Sequence, residues 1–206
     1  MLRALKLVVL FGLLTILSFA QVPTAPPRSP KDVVAEFWKM ETDGGRLTPD
    51  GWYKASKFFV RSTPPPLNKV VHVIRSREAD SVEETARAEN WTEVSVTTNE
   101  VGQLDSSLHF RPSLKRGEHG VLLLKGPVVR FALVLTDKHW ELGSDGARGK
   151  ESTGPAQWLI DCTENASWVN LETAKRYVTS VRDKTIDPAV KRNAEATIAT
   201  LKSLNE

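Results

Sequence analysis

Apolar residues recur at helical spacing at both ends of the chain, with short β-type runs between them. From Lys31 to Glu41, the residues Val33, Val34, Phe37, Trp38 and Glu41 fall near one face of a helix. Ser29 or Asp32 would cap it, and Gly44-Gly45 would stop it. Thr48 before Pro49 repeats the start signal, because proline suits the first helical position. It predicts a second helix to about Phe59, carrying Trp52, Ala55, Phe58 and Phe59, and Pro64-Pro65-Pro66 ends helical territory. Val70 to Ile74 reads as a buried strand, whereas Ser81 to Ala88 is polar enough for a short helix or a loop. Trp91 to Thr98 alternates, with Thr92, Val94, Val96 and Thr98 on one face and Glu93, Ser95 and Thr97 on the other, so one face is expected to meet water. Leu104 to Phe110 is a weaker strand, cut by Pro112.

Val128 to Leu135 and His139 to Leu142 flank Thr136-Asp137-Lys138, which reads as a hairpin turn. A glycine-rich loop from Gly143 to Pro155 leads to the strand-like run Gln157-Trp158-Leu159-Ile160-Asp161-Cys162, which opens the stretch from Gln157 to Tyr177 around which the other elements are expected to gather. A helix opens at Asn170, with Leu171, Ala174, Tyr177 or Val178, and Val181 on one face. Asp187-Pro188 opens another, with Val190, Ala194, Ile198 and Leu201 at helical spacing. Two helices, several antiparallel-looking strands and two more helices predict an α+β fold with helices packed on a curved sheet.

Length and composition narrow this picture. The 206 residues suffice for one domain with its own core. Residues 1–20 read as a signal peptide: Arg3 and Lys6 precede the apolar run Leu7 to Leu17, and Ser18-Phe19-Ala20 offers small residues to a peptidase, making Gln21 the expected new terminus. Residues 21–30 carry four prolines and read as an extended linker. Removing Arg3 and Lys6 leaves 26 basic residues against 25 acidic, a balance that gives no argument for nucleic acid. Cys162 is the only cysteine, so an internal disulfide is excluded, and the thiol reads as a small buried residue at a strand end.

No Gly-x-Ser-x-Gly elbow, His-Glu-x-x-His helix or Cys-x-x-Cys pair is present, and the stretch Gly143 to Lys150 lacks the spacing and hydroxyl of a phosphate loop. No metal site or cofactor is expected, and His109 and His119 stand ten apart across a loop. His72, mid-strand among valines, and Asp161, after an apolar triplet, remain as candidate acid and base. Facing a cavity lined by Phe37, Trp38, Trp52 and Phe58, either would be desolvated toward proton-transfer use. The same residues also read as a hydrogen-bonded core histidine, an aspartate facing water, and core aromatics.

The segments Asp32-Val33-Val34-Ala35-Glu36-Phe37-Trp38 and Gly44-Gly45-Arg46-Leu47-Thr48-Pro49-Asp50-Gly51-Trp52 resemble the opening of NTF2-like proteins of the cystatin-like cone fold. The strand Trp158 to Ile160 is similar to that family's closing strands. The resemblance implies two N-terminal helices over a curved antiparallel sheet, and a cavity more than a reaction. The insert from Arg111 to Pro127 and the helices after Asn170 depart from a minimal cone and would lie at its mouth. The expectation is an exported protein, periplasmic or extracellular, whose single domain spans 31–206 with 170–206 a C-terminal helical extension. Its role is expected to be non-catalytic: binding a small hydrophobic ligand or an envelope protein, with a homodimer as a possible assembly. The alternative is a small-molecule isomerase, dehydratase or cyclase using His72 and Asp161.

Overall fold

A computed structural model describes residues 26–61, 70–75, 81–113, 115–117, 120–122, 128–142, 149–161 and 166–204. The expected leader, Pro64-Pro65-Pro66, His119 and Cys162 lie outside these residues. The helices are α1 (Pro30–Thr42), α2 (Pro49–Ala55, continued by a 3-10 turn Ser56–Phe58), α3 (Leu171–Lys184) and α4 (Pro188–Ser203). Each begins on the cap the sequence supplies. The side chains of Ser29, Thr48, Asn170 and Asp187 accept from backbone N–H groups of the first turn, satisfying donors that have no partner inside the helix. None of the helices among the described residues is long and apolar enough to cross a membrane.

Among the described residues, ten strands form two larger sheets and a two-stranded one. They are β1 (Val70–Ile74), β2 (Ser81–Arg87), β3 (Trp91–Thr97), β4 (Glu100–Asp105), β5 (Phe110–Pro112), β6 (Lys115–Gly117), β7 (Gly120–Leu122), β8 (Val128–Leu142), β9 (Gly149–Ile160) and β10 (Ser167–Asn170). One sheet has the order β2-β3-β8-β9 and is antiparallel throughout; the other has the order β10-β1-β4-β5, with β10 parallel to β1. The strands β6 and β7 pair with each other. The architecture is α+β, with four helices and two mostly antiparallel sheets among the described residues.

Four local readings are corrected. Ser81–Arg87 is an edge strand: the backbone of β3 supplies a ladder that its polar side chains do not announce, and Glu83, Glu84 and Arg87 keep the edge charged. The segment around Leu104 breaks after Asp105, whose carboxylate accepts from the N–H groups of Ser107 and His109 and bends the chain. Thr136-Asp137-Lys138 is a bulge within the continuous strand β8 and not a hairpin turn. Thr136 pairs with Gln157 and Lys138 with Thr153, so Gly154-Pro155-Ala156 bows out opposite Asp137. Proline, lacking an N–H to donate, sits where the ladder is interrupted. The second half of the expected glycine-rich loop is therefore strand.

The two cores lie on different sheets. Val94, Val96, Phe131, Leu133, Trp158 and Ile160 face α1 and the 3-10 turn, where Phe37 meets Phe58, Phe59 and Phe131 edge to face at 5.3–5.7 Å. Val71, Val73, Leu104, Phe110 and Val169 pack under α3 and α4, against Ala174, Val178, Ala194 and Leu201. Beneath α1, the buried pair Glu41 and Arg46 closes the edge strand β10: Trp168 N–H donates to Glu41 at 3.2 Å, and the Ala166 carbonyl accepts from Arg46 at 2.6 Å.

Candidate functional site

Strand register alone brings one set of polar groups together. His72 pairs with Trp168 on β10 and with Gln103 on β4, and Gln103 pairs with Arg111 on β5, so one row crosses all four strands on the face away from α3 and α4. The row runs from a buried end to a wet one: Trp168 is 7% exposed and the Arg111 side chain 73%. The His72 ring stacks on Trp168, with centroids 4.1 Å apart and planes 15° from parallel. Its Nδ1 lies 3.2 Å from Glu100 Oε1, and Ser113 Oγ donates to the same oxygen at 3.3 Å. Glu100 reaches this position because the ladder slips between Val73 and Ile74.

Burial works to raise the Glu100 carboxyl, but hydrogen bonds with His72, Gln103 and Ser113 and attraction to the His72 ring outweigh it and hold the group below its ordinary value. A carboxyl depressed on folding contributes stability above its unfolded pKa and loses it as pH falls through the folded value. Acid titration should therefore weaken the protein progressively once pH drops below the ordinary value of 4.5. Urea unfolding of Glu100→Gln across that range is expected to show a shallower decline than the unaltered chain. Equal slopes would mean that His72 and Glu100 do not interact in solution.

A second feature is a cleft of about 620 Å³ between α1, α2 and the β8–β9 ribbon. Helix α1 supplies Glu36 and Met40, one turn apart on the same face, and the α2 segment supplies Tyr53, Lys54, Lys57 and Phe58. Trp140 and Gln157 close the strand side, and Arg28 stands at the rim. Glu36 accepts from Lys57 at 2.7 Å and also pairs with Arg28; these bonds, the one from Lys57 foremost, hold its carboxyl below the ordinary value. Lys57 also lies over the Phe58 ring, 4.7 Å from its centroid. Three cations against one carboxylate leave the lining positive beside an aromatic and thioether floor.

The residues singled out from sequence scatter. His72 belongs to the row on the β1 sheet. Asp161 follows β9, is exposed, and lies 3.9 Å from Arg61; its backbone N–H donates to Ala132. The two are thus held by different partners on different sheets. Phe37 and Trp38 are buried in the α1 core, Trp52 is partly buried on α2, and Phe58 both joins that core and lines the cleft. His109 stands exposed 4.0 Å from Asp105. Glu100 and Gln103 went unread because a bulge and a long-range register bring them to His72, which no local pattern encodes. Glu41 did carry a signal, as a glutamate in the apolar stripe of α1. Among the described residues, no group of three or more His, Cys, Asp or Glu is placed to hold a metal ion. No family model matches the chain, no curated protein matches it, and no solved structure matches it.

Proposed function

We propose that the chain is an exported, non-catalytic binding domain of NTF2-like type, holding a small amphipathic anion in the cleft between α1, α2 and the β8–β9 ribbon. One observation carries the reading: a ligand-sized cleft lined by the apolar side chains of Met40 and Trp140 also carries Lys54, Lys57 and Arg28. An apolar or aromatic body would lie on those side chains and an anionic group would meet the cations. Two N-terminal helices over an antiparallel sheet, followed by a C-terminal helical pair, support the NTF2-like part. An acid–base reaction would draw on His72 with Glu100. That ring is stacked on Trp168, and none of the three clefts described in this structure is lined by it.

Anilinonaphthalene sulfonate, an aromatic anion whose fluorescence rises in apolar surroundings, is a suitable probe. Saturable binding of one molecule per folded chain is expected, with Trp140→Ala or Lys54→Glu weakening it about tenfold, the loss of one good contact, and Lys191→Gln on α4 leaving it unchanged. Non-saturable binding, or equal affinity in all variants with native circular dichroism, would overturn the assignment.

A further inference from the structure

A different groove, of about 730 Å³, runs between the turn joining α1 to α2 and one face of α3. On the helix side, Arg176, Tyr177, Ser180, Val181 and Lys184 repeat at three- and four-residue spacing and form a single stripe. Arg176 and Lys184 are eight residues apart, which on an α-helix separates their Cα atoms by about 12 Å. Between them the wall is apolar or neutral: Val181 and the Tyr177 ring on the helix, with Leu47 and Pro49 across the groove. Burial pushes the Tyr177 phenol up, further from ionisation. The one acid in the lining, Asp43, accepts from the Asn170 amide at 3.2 Å, so the groove carries two cations against one engaged carboxylate.

The opposite wall is shaped by close approaches that only glycine allows. Gly44 has φ +88°, and a Cβ placed on it would lie 2.8 Å from Thr173 Cγ2 on α3; one placed on Gly51 would lie 1.7 Å from the Gly45 carbonyl oxygen. The turn thus packs its backbone closely against itself at Gly45 and Gly51 and against the Thr173 side chain of α3 at Gly44. A groove already shaped before its ligand arrives avoids the ordering penalty that weakens flexible sites.

We infer that this groove is a second binding site, for an elongated amphipathic molecule bearing an anionic group at each end, one meeting Arg176 and the other Lys184. An apolar chain between the two groups lies along Leu47, Pro49, Val181 and the Tyr177 ring. The site shares no residue with the cleft assigned above, so it stands or falls independently of that reading.

Decanedioate, whose extended carboxylates are separated by a span similar to that between the Arg176 and Lys184 Cα atoms, is the probe, measured by calorimetry on the full chain. Binding is expected to pass through a maximum along the series from hexanedioate to tetradecanedioate, and decanoate, with one charge, should bind about tenfold more weakly. Arg176→Gln and Lys184→Gln should each lose about tenfold for the dianion, and each should abolish its advantage over decanoate. Asp43→Asn, which keeps an acceptor for Asn170, should tighten binding, and Lys191→Gln on α4, which lines neither cleft, should leave it unchanged. Absence of decanedioate binding, equal affinity for decanoate, or indifference to both cation variants would overturn the proposal. A loss produced by Lys54→Glu and by neither Arg176→Gln nor Lys184→Gln would place the ligand in the other cleft and overturn it equally.

Discussion

Glu41→Ala is expected to lower the unfolding free energy by about 3–5 kcal/mol, because it takes the carboxylate away from a guanidinium held in the interior. Glu41 and Arg46 are 1% and 6% exposed. Arg46 donates from Nε to Oε2 at 2.7 Å and from Nη2 to Oε1 at 2.6 Å, a forked contact with both carboxylate oxygens. Replacing both members of a self-contained buried pair by apolar residues is often neutral or stabilising. Here the pair also serves β10. Leucine at 41 and methionine at 46 would leave the Trp168 N–H and the Ala166 carbonyl without these partners, at about 1–3 kcal/mol for the buried N–H and less for the half-buried carbonyl. Urea unfolding of the two single variants and the double variant tests this. The double should stay clearly below the unaltered chain; recovery of full stability would mean that the edge of β10 needs no closing.

The same pair shows what the sequence encodes locally and what it does not. Helix starts were legible because a cap and its donors lie within three residues, as with Ser29 and Asp32 or Asn170 and Thr173. The alternation of β3 was legible on its core side, where Thr92, Val94 and Val96 are buried to 0% exposure, but its other face is drier than expected, with Ser95 at 6%. Strands whose identity depends on a distant partner were not legible. Ser81–Arg87 is strand because β3 lies beside it, and Ser167–Asn170 because β1 runs parallel to it across about a hundred residues of chain. The candidate site divides the same way. His72 was readable as a polar residue on an apolar strand, whereas its partners Glu100, Gln103 and Trp168 come from two other strands, and Asp161 falls elsewhere.

Trp168→Ala is expected to destabilise the protein by about 3–5 kcal/mol, the usual range for deleting a buried aromatic, and its pattern should be distinctive. Trp168 belongs by backbone to the β1 sheet, yet its ring lies in the other core, 5.9 Å from Trp38 on α1, while its opposite neighbour is His72. Adjacent residues on the strand divide the duty: Val169 points to α3 and α4, and Trp168 points to α1. Removing the indole therefore opens a void between two cores that otherwise share few side chains. Unfolding monitored separately by Trp fluorescence and by far-ultraviolet circular dichroism should give transitions that no longer coincide, because α3 with α4 can hold its sheet after α1 has released the other. His72→Ala should cost less, and the double variant should fall short of the sum by about 0.5–1.5 kcal/mol, the range for stacked ring pairs. A single sharp transition for Trp168→Ala with a loss under about 1 kcal/mol, no more than a typical substitution, would show that α1 and the Glu41–Arg46 pair join the two halves without the ring.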